Sequence, residues 1–219
     1  MESSPLKPEI DREIAVESQE TAVVEDKAEK MTKIEIRTVE DIAKALDEMQ
    51  RILETHQNNL PREERERIAG ILTRISKEED MFKRNIQNLH RLFQSLDVVD
   101  AKNFKELQDR LAKASGKERK LIQVEMEEEE GKLKIEKAIF ELDRRLAQAL
   151  GAFNQYIMAA MNHIRGSPYP YDATPQISQA GAVLKSILAI IKETETLEEK
   201  LVTLGKAEKK LLKKERDVA

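Results

Sequence analysis

The chain has 219 residues, a formal net charge of −4, 37% charged residues, 4% aromatic residues, and neither tryptophan nor cysteine. Without cysteine there are no disulfides, thiol nucleophiles or thiolate metal sites, and the acidic balance argues against general nucleic-acid binding. Many charges, few aromatics, and only seven glycines and six prolines suit long helices that meet along narrow apolar stripes rather than a thick enzyme core.

Met1-Glu2-Ser3-Ser4-Pro5 has no basic start and no apolar run behind it, so it does not read as a signal peptide. No run of about eighteen apolar residues predicts a transmembrane helix. Residues 1–37 read as an acidic, disordered arm carrying Glu9, Asp11, Glu13, Glu17, Glu20, Glu25, Asp26 and Glu29, with few and poorly periodic apolar residues. Such a segment buries too little surface to offset its ordering entropy. Ile34 and Ile36 alternate with polar neighbours, a weak strand signal.

From residue 38 the pattern becomes helical. Thr38 reads as an N-cap with Glu40 and Asp41 in the first turn. Behind it Val39, Ile42, Leu46, Met49, Leu53, His56 and Leu60 recur at alternating steps of three and four, the spacing of a coiled-coil seam. Asn58, Asn59 and Pro61 end this helix, predicted over about 38–58. The next, over 61–97, carries Ile68, Leu72, Ile75, Glu79, Phe82, Ile86, Leu89, Phe93 and Leu96 on its seam. Ser76 with Glu79 resembles an internal capping box, but the seam keeps phase on both sides, which favours continuity.

Asp100 reads as the cap of a shorter helix over 100–115, with Phe104, Leu107, Leu111 and Ala114 on one face. Ser115-Gly116-Lys117-Glu118 then marks a stop and a fresh start; one unbroken helix from 100 to 165 is the alternative. The helix over 117–165 has the seam Ile135, Ile139, Leu142, Leu146, Ala149, Phe153, Tyr156, Ala160 and Ile164. Glu128/Lys132 and Glu130/Lys134 sit at i,i+4 on what reads as its exposed side. Gly166, Pro168 and Pro170 force a loop. Thr174-Pro175 opens the last helix, over 174–216, with threonine as cap and proline at the first helical position. The expected fold is all-α: an elongated antiparallel helical bundle, coiled-coil-like, of about five helices with a long C-terminal helical hairpin.

Catalytic and metal motifs are missing. G-x-x-x-x-G-K, G-x-S-x-G and H-E-x-x-H do not occur. The Glu-x-x-His spacing of bundle metal sites fails at all three histidines: His56 follows Leu53, His90 follows Gln87 and His163 follows Ala160. The acidic run Glu125 and Glu127 to Glu130 reads as a solvated face. No enzyme activity, cofactor or metal is expected.

The informative feature is a shift in composition. Between Leu146 and Ile191 the charged residues are Arg165, Asp172 and Lys185, and small residues abound. The stretch reads as central core, as an interface covered in trans, or as a reversible membrane contact, although its many amides make insertion expensive. Tyr169, Pro170 and Tyr171 at the hairpin tip, with Phe153 and Tyr156 on its first arm, are the candidate partner contacts. Lys206, Lys209, Lys210, Lys213 and Lys214 are candidates for an anionic surface: lipid, an acidic partner, or the chain's own acidic arm. Cations also complement a helix C-terminus. The reading is a non-enzymatic cytoplasmic scaffold or adaptor, self-associating or bound to a protein partner, with a peripheral membrane protein as the alternative.

Overall fold

The structure is a computed structural model that describes residues 7–167 and 169–218. The described residues are helical throughout apart from short connections, and contain no strand. A first helical run comprises α1 (Lys7–Val23), a single π-helical turn (Val24–Ala28) and α2 (Glu29–Thr55). Then come α3 (Arg62–Lys113), α4 (Gly116–Gly166), a 3-10 turn (Pro170–Ala173) and α5 (Thr174–Val218). The all-α class and the C-terminal helical hairpin are as expected, but the long helical runs are four rather than five.

The differences have local causes. The expected arm over 1–37 is helix from Lys7 onward, and residues 1–6 of it lie outside the described residues. Val24 and Ala28 in the π turn are buried against Leu89, Phe93, Leu96, Ile139 and Leu201. Packing thus supplies the stabilisation that the segment's own propensity lacks. Thr38 is no cap: it lies within α2, and its hydroxyl donates to the Ile34 carbonyl at 2.9 Å. Ile34 is half exposed on that helix and belongs to no strand. The breaks expected near 97–100 are absent, because Asp100 is a buried position inside α3. Thr174 has helical backbone angles rather than those of a cap, and the 3-10 turn leads straight into α5.

Gly116 ends the α3–α4 connection with φ +61°, the left-handed conformation that only glycine adopts without cost. A two-residue link, Ala114-Ser115, therefore suffices. It is closed by a small cluster of Leu107, Ala114 and Ile122, with Leu111 and Met126 packed on it.

The chain divides into two compact units. The first holds residues 1–31, 89–141 and 194–219; the second holds 32–88 and 142–193. The second unit has a conventional apolar core. Phe82, Phe153, Met49, Leu53, Ile68, Ile75, Ile177 and Ile187 are almost wholly buried there. On its surface Arg67 and Arg74 of α3 bridge to Glu48 of α2, at 2.9 and 3.7 Å. The first unit differs. Its apolar clusters are those around Phe93 and Ile122, and many of its other buried positions are charged.

Candidate functional site

Two features stand out: an outward face in the second unit and an ionic layer in the first. The outward face derives from the composition of 146–191. One side of each arm is core, with Leu146, Leu150, Phe153, Ile157, Ala160 and Ile164 on α4 and Ile177, Ala180, Leu184, Ile187 and Ile191 on α5. The other side is exposed yet carries almost no charge. Ala147, Gln148, Gly151, Gln155, Met158 and Asn162 face solvent from α4. From α5, within 174–191, the exposed positions are Pro175, Ser178, Gln179, Ala182, Lys185, Ser186 and Ala189. A methyl group added at Gly151 would meet nothing within 4 Å, so this part of the face is open. Its large apolar group is Met158, 51% exposed.

The hairpin tip is fixed by one serine. The Ser167 hydroxyl accepts a hydrogen bond from the Tyr169 N–H at 3.0 Å and lies 3.5 Å from Asp172 Oδ2. The Asp172 N–H donates to the Tyr169 carbonyl at 3.0 Å. These bonds turn Pro170 and Ala173 inward, where both are buried, and leave Tyr169 59% and Tyr171 37% exposed. Pro170 therefore covers the end of the hairpin while the tyrosines project. Phe153 is fully buried and Tyr156 half-buried. Phe153 is thus a core residue, not a contact, because it falls on the apolar seam of its helix.

The basic C-terminal positions differ in their surroundings. Lys206 pairs with Glu25 at 2.7 Å, each about half exposed, so one lysine is engaged by the chain's own acidic segment. Lys209 is half-buried, whereas Lys210, Lys213 and Lys214 face solvent.

The ionic layer was hidden from the apolar pattern. Lys132 of α4 lies 2.7 Å from Glu129 of the same helix, 2.7 Å from Glu208 of α5 and 3.8 Å from Asp100 of α3. All four side chains are at most 5% exposed. Glu136, one turn further along α4, is also fully buried. Asp100, Lys132 and Glu136 line a cavity of about 20 Å³ together with Thr21, Val24, Leu96, Leu201 and Val202, the size of a single water. Burial pushes the Glu136 carboxyl up to about 10, helped by the neighbouring carboxyls of Asp100 and Asp97, against the opposing pull of Lys132.

The layer sits where the three-and-four spacing puts it. On α4 the positions Ile122, Glu125, Glu129, Lys132, Glu136 and Ile139 continue one stripe, and all are buried. On α5 the stripe runs Ile187, Ile191, Thr194, Glu198, Leu201, Gly205, Glu208 and Leu212, again all buried. The acidic run on α4 is therefore split between seam and surface. Glu125 and Glu129 are buried, and Lys132 bonds to seam partners rather than lying exposed. Glu130 pairs with Lys134 at 2.8 Å on the exposed side, as expected, and that lysine holds its carboxyl below the usual range.

Among the described residues no group of histidines and acids is arranged to hold a metal ion, and no helix is long and apolar enough to cross a membrane. No protein-family model, curated protein or solved structure matches the chain.

Proposed function

We propose that this protein is a non-enzymatic helical scaffold that works through protein contacts, and that its first partner is a second copy of itself, met through the outward α4–α5 face of the second unit. The observation that carries this reading is an exposed face nearly free of charge on a chain whose residues are 37% charged. Two copies of an acidic protein repel each other over most of their surface. Along this face they approach without removing ionised groups from water, which is the large penalty of ionic interfaces. Small side chains at Ala147, Gly151 and Ala182 allow close backbone approach, while Met158 and the projecting Tyr169 and Tyr171 supply adaptable and aromatic contact area. In this reading the protein resides in the cytoplasm.

Sedimentation equilibrium on the full chain tests it. The wild type is expected to associate reversibly, and Gly151→Lys, at an exposed position where an added Cβ meets nothing within 4 Å, is expected to shift the mass toward one chain. A wild type that stays at the mass of one chain at high concentration overturns self-association.

A second reading rests on a separate observation, the exposed Lys210, Lys213 and Lys214 on the last turns of α5. They suit an anionic lipid surface, where each basic residue contributes about 1 kcal/mol. Flotation with vesicles of anionic and of neutral lipid separates the two readings. Binding to anionic vesicles that Lys210→Ala/Lys213→Ala/Lys214→Ala abolishes supports a lipid contact, and no flotation with either removes it.

A further inference from the structure

The second unit carries a groove of about 390 Å³ where the first turns of α3 meet the last turns of α4, lined by the apolar side chains of Ile68, Leu72, Met161 and Ile164. Arg65 of α3 and Arg165 of α4 line it too, and both face solvent. Their neighbours on α3 have carboxylates of their own: Arg62 meets Glu66 at 3.0 Å, Arg67 meets Glu48 at 2.9 Å and Arg74 meets Glu48 at 3.7 Å. Arg65 instead donates its Nε–H to the Leu60 carbonyl at 3.2 Å, which leaves its terminal nitrogens for another acceptor. Among the described residues no carboxylate pairs with Arg65 or with Arg165. The groove thus joins an apolar floor to two guanidinium groups, whose planar forks match a carboxylate.

The complement lies next to it on the same chain. Asp172 at the hairpin tip is exposed, and among the described residues its carboxylate meets the Ser167 hydroxyl at 3.5 Å but no cation. It stands beside the projecting Tyr169 and Tyr171, whose rings suit both an apolar floor and the face of a guanidinium. Arg165 and Asp172 are two of the three charged residues between Leu146 and Ile191, yet they do not pair within the chain. A surface with a knob beside a matching hollow is self-complementary. A half-turn about an axis between the two seats each copy's knob in the other's hollow.

We propose that the hairpin tip of one copy docks in the Arg65–Arg165 groove of a second copy, and that the second returns the same contact. Asp172 accepts hydrogen bonds from the two arginines, while Tyr169 and Tyr171 cover the apolar floor. The inference rests on the self-association proposed above and names the groups that set its register. Met161 and Arg165 each follow a residue of the outward face, Met158 and Asn162, by three positions on α4, so the groove adjoins that face. An acidic chain would be repelled by its copy in most orientations. Here cations meet an acid twice, which selects one orientation.

The experiment is sedimentation equilibrium of the full chain as wild type, as a groove variant (Arg65→Asp/Arg165→Asp), as a tip variant (Asp172→Arg), and as an equimolar mixture of the two variants. Each variant alone sets like charges against each other in both contacts, so its association constant is expected to fall at least about tenfold below wild type. In the mixture both contacts again join opposite charges, and association is expected to return. A variant that associates alone as the wild type does, or a mixture that stays at the mass of one chain, overturns the proposal. All three positions are exposed, and circular dichroism checks that each variant is folded. If a reversed variant does not fold, Arg65→Gln/Arg165→Gln and Asp172→Asn take their place, and unchanged association in either overturns the proposal. A wild type at the mass of one chain removes self-association altogether. A wild type that associates and yields to Gly151→Lys, but not to the reversals, removes this contact alone.

Discussion

Lys132 on α4 and Glu208 on α5 meet at 2.7 Å with no more than 5% of either side chain exposed. The pair joins two helices of the first unit at seam positions where the second unit uses leucine and isoleucine. Removing one partner of such a pair leaves a buried charge uncompensated, which costs about 3–5 kcal/mol. Lys132→Met is therefore expected to lower the free energy of unfolding, measured by urea titration, by an amount in that range. A loss below about 1 kcal/mol would mean that solvent reaches the layer and screens it.

Two glycines in exposed positions should respond to alanine in opposite directions. Gly70 lies within α3 with nothing within 4 Å of an added methyl group, so Gly70→Ala gains roughly 0.5–1 kcal/mol from reduced freedom of the unfolded chain and better helix propensity. Gly116 has equal room but φ +61°, so Gly116→Ala loses about 1 kcal/mol to backbone strain. Thermal unfolding of both variants checks the pair. The same sign for both would contradict the left-handed turn.

Phe153 and Tyr169 separate core from contact. Phe153→Ala empties a site with no exposed surface and is expected to cost about 3–5 kcal/mol. Tyr169→Ala alters a ring that is 59% exposed, so stability should stay within about 0.5 kcal/mol of wild type. If the tip takes part in association, the same variant weakens it, which sedimentation equilibrium measures.

The Lys206–Glu25 pair is half exposed on both sides. Exposed ion pairs contribute about 0–1 kcal/mol and fade with salt. Lys206→Ala is accordingly expected to change stability by no more than that, and the change should vanish in 1 M salt, where the screening length is about 3 Å. A larger, salt-insensitive loss would show that this contact anchors the first helical run.

The seams of the second unit were legible because their buried positions are apolar: Val39 to Leu53, Ile68 to Phe82 and Leu142 to Ile164 read directly as stripes. Continuity through Glu79 was legible too, since phase held on both sides; Glu79 is buried and bonded to Lys83 at 2.7 Å. Asp100, Glu129, Lys132 and Glu208 were not legible by the same rule, which takes charge as a mark of the surface. The signal was the spacing itself, Ile122 to Ile139 and Ile187 to Leu212, had the stripe been extended through charged residues. The helical turn over 24–28 was missed for a related reason: Val24 and Ala28 are buried against residues distant in sequence, Leu89, Phe93 and Leu201, and no local window contains them. Of the contact candidates, Tyr169 and Tyr171 stood out by their loop, while Phe153 was misplaced because an aromatic on a seam is a filler of space.

The acids on the stripes of the first unit also decide its fate once the helices part. Leucine and isoleucine laid bare to water invite the nearest sticky neighbour. Glu125, Glu129, Glu136, Glu198 and Glu208 would instead ionise, hydrate and repel. An opened first unit can wait in solution and close again, whereas the second unit, once opened, offers grease.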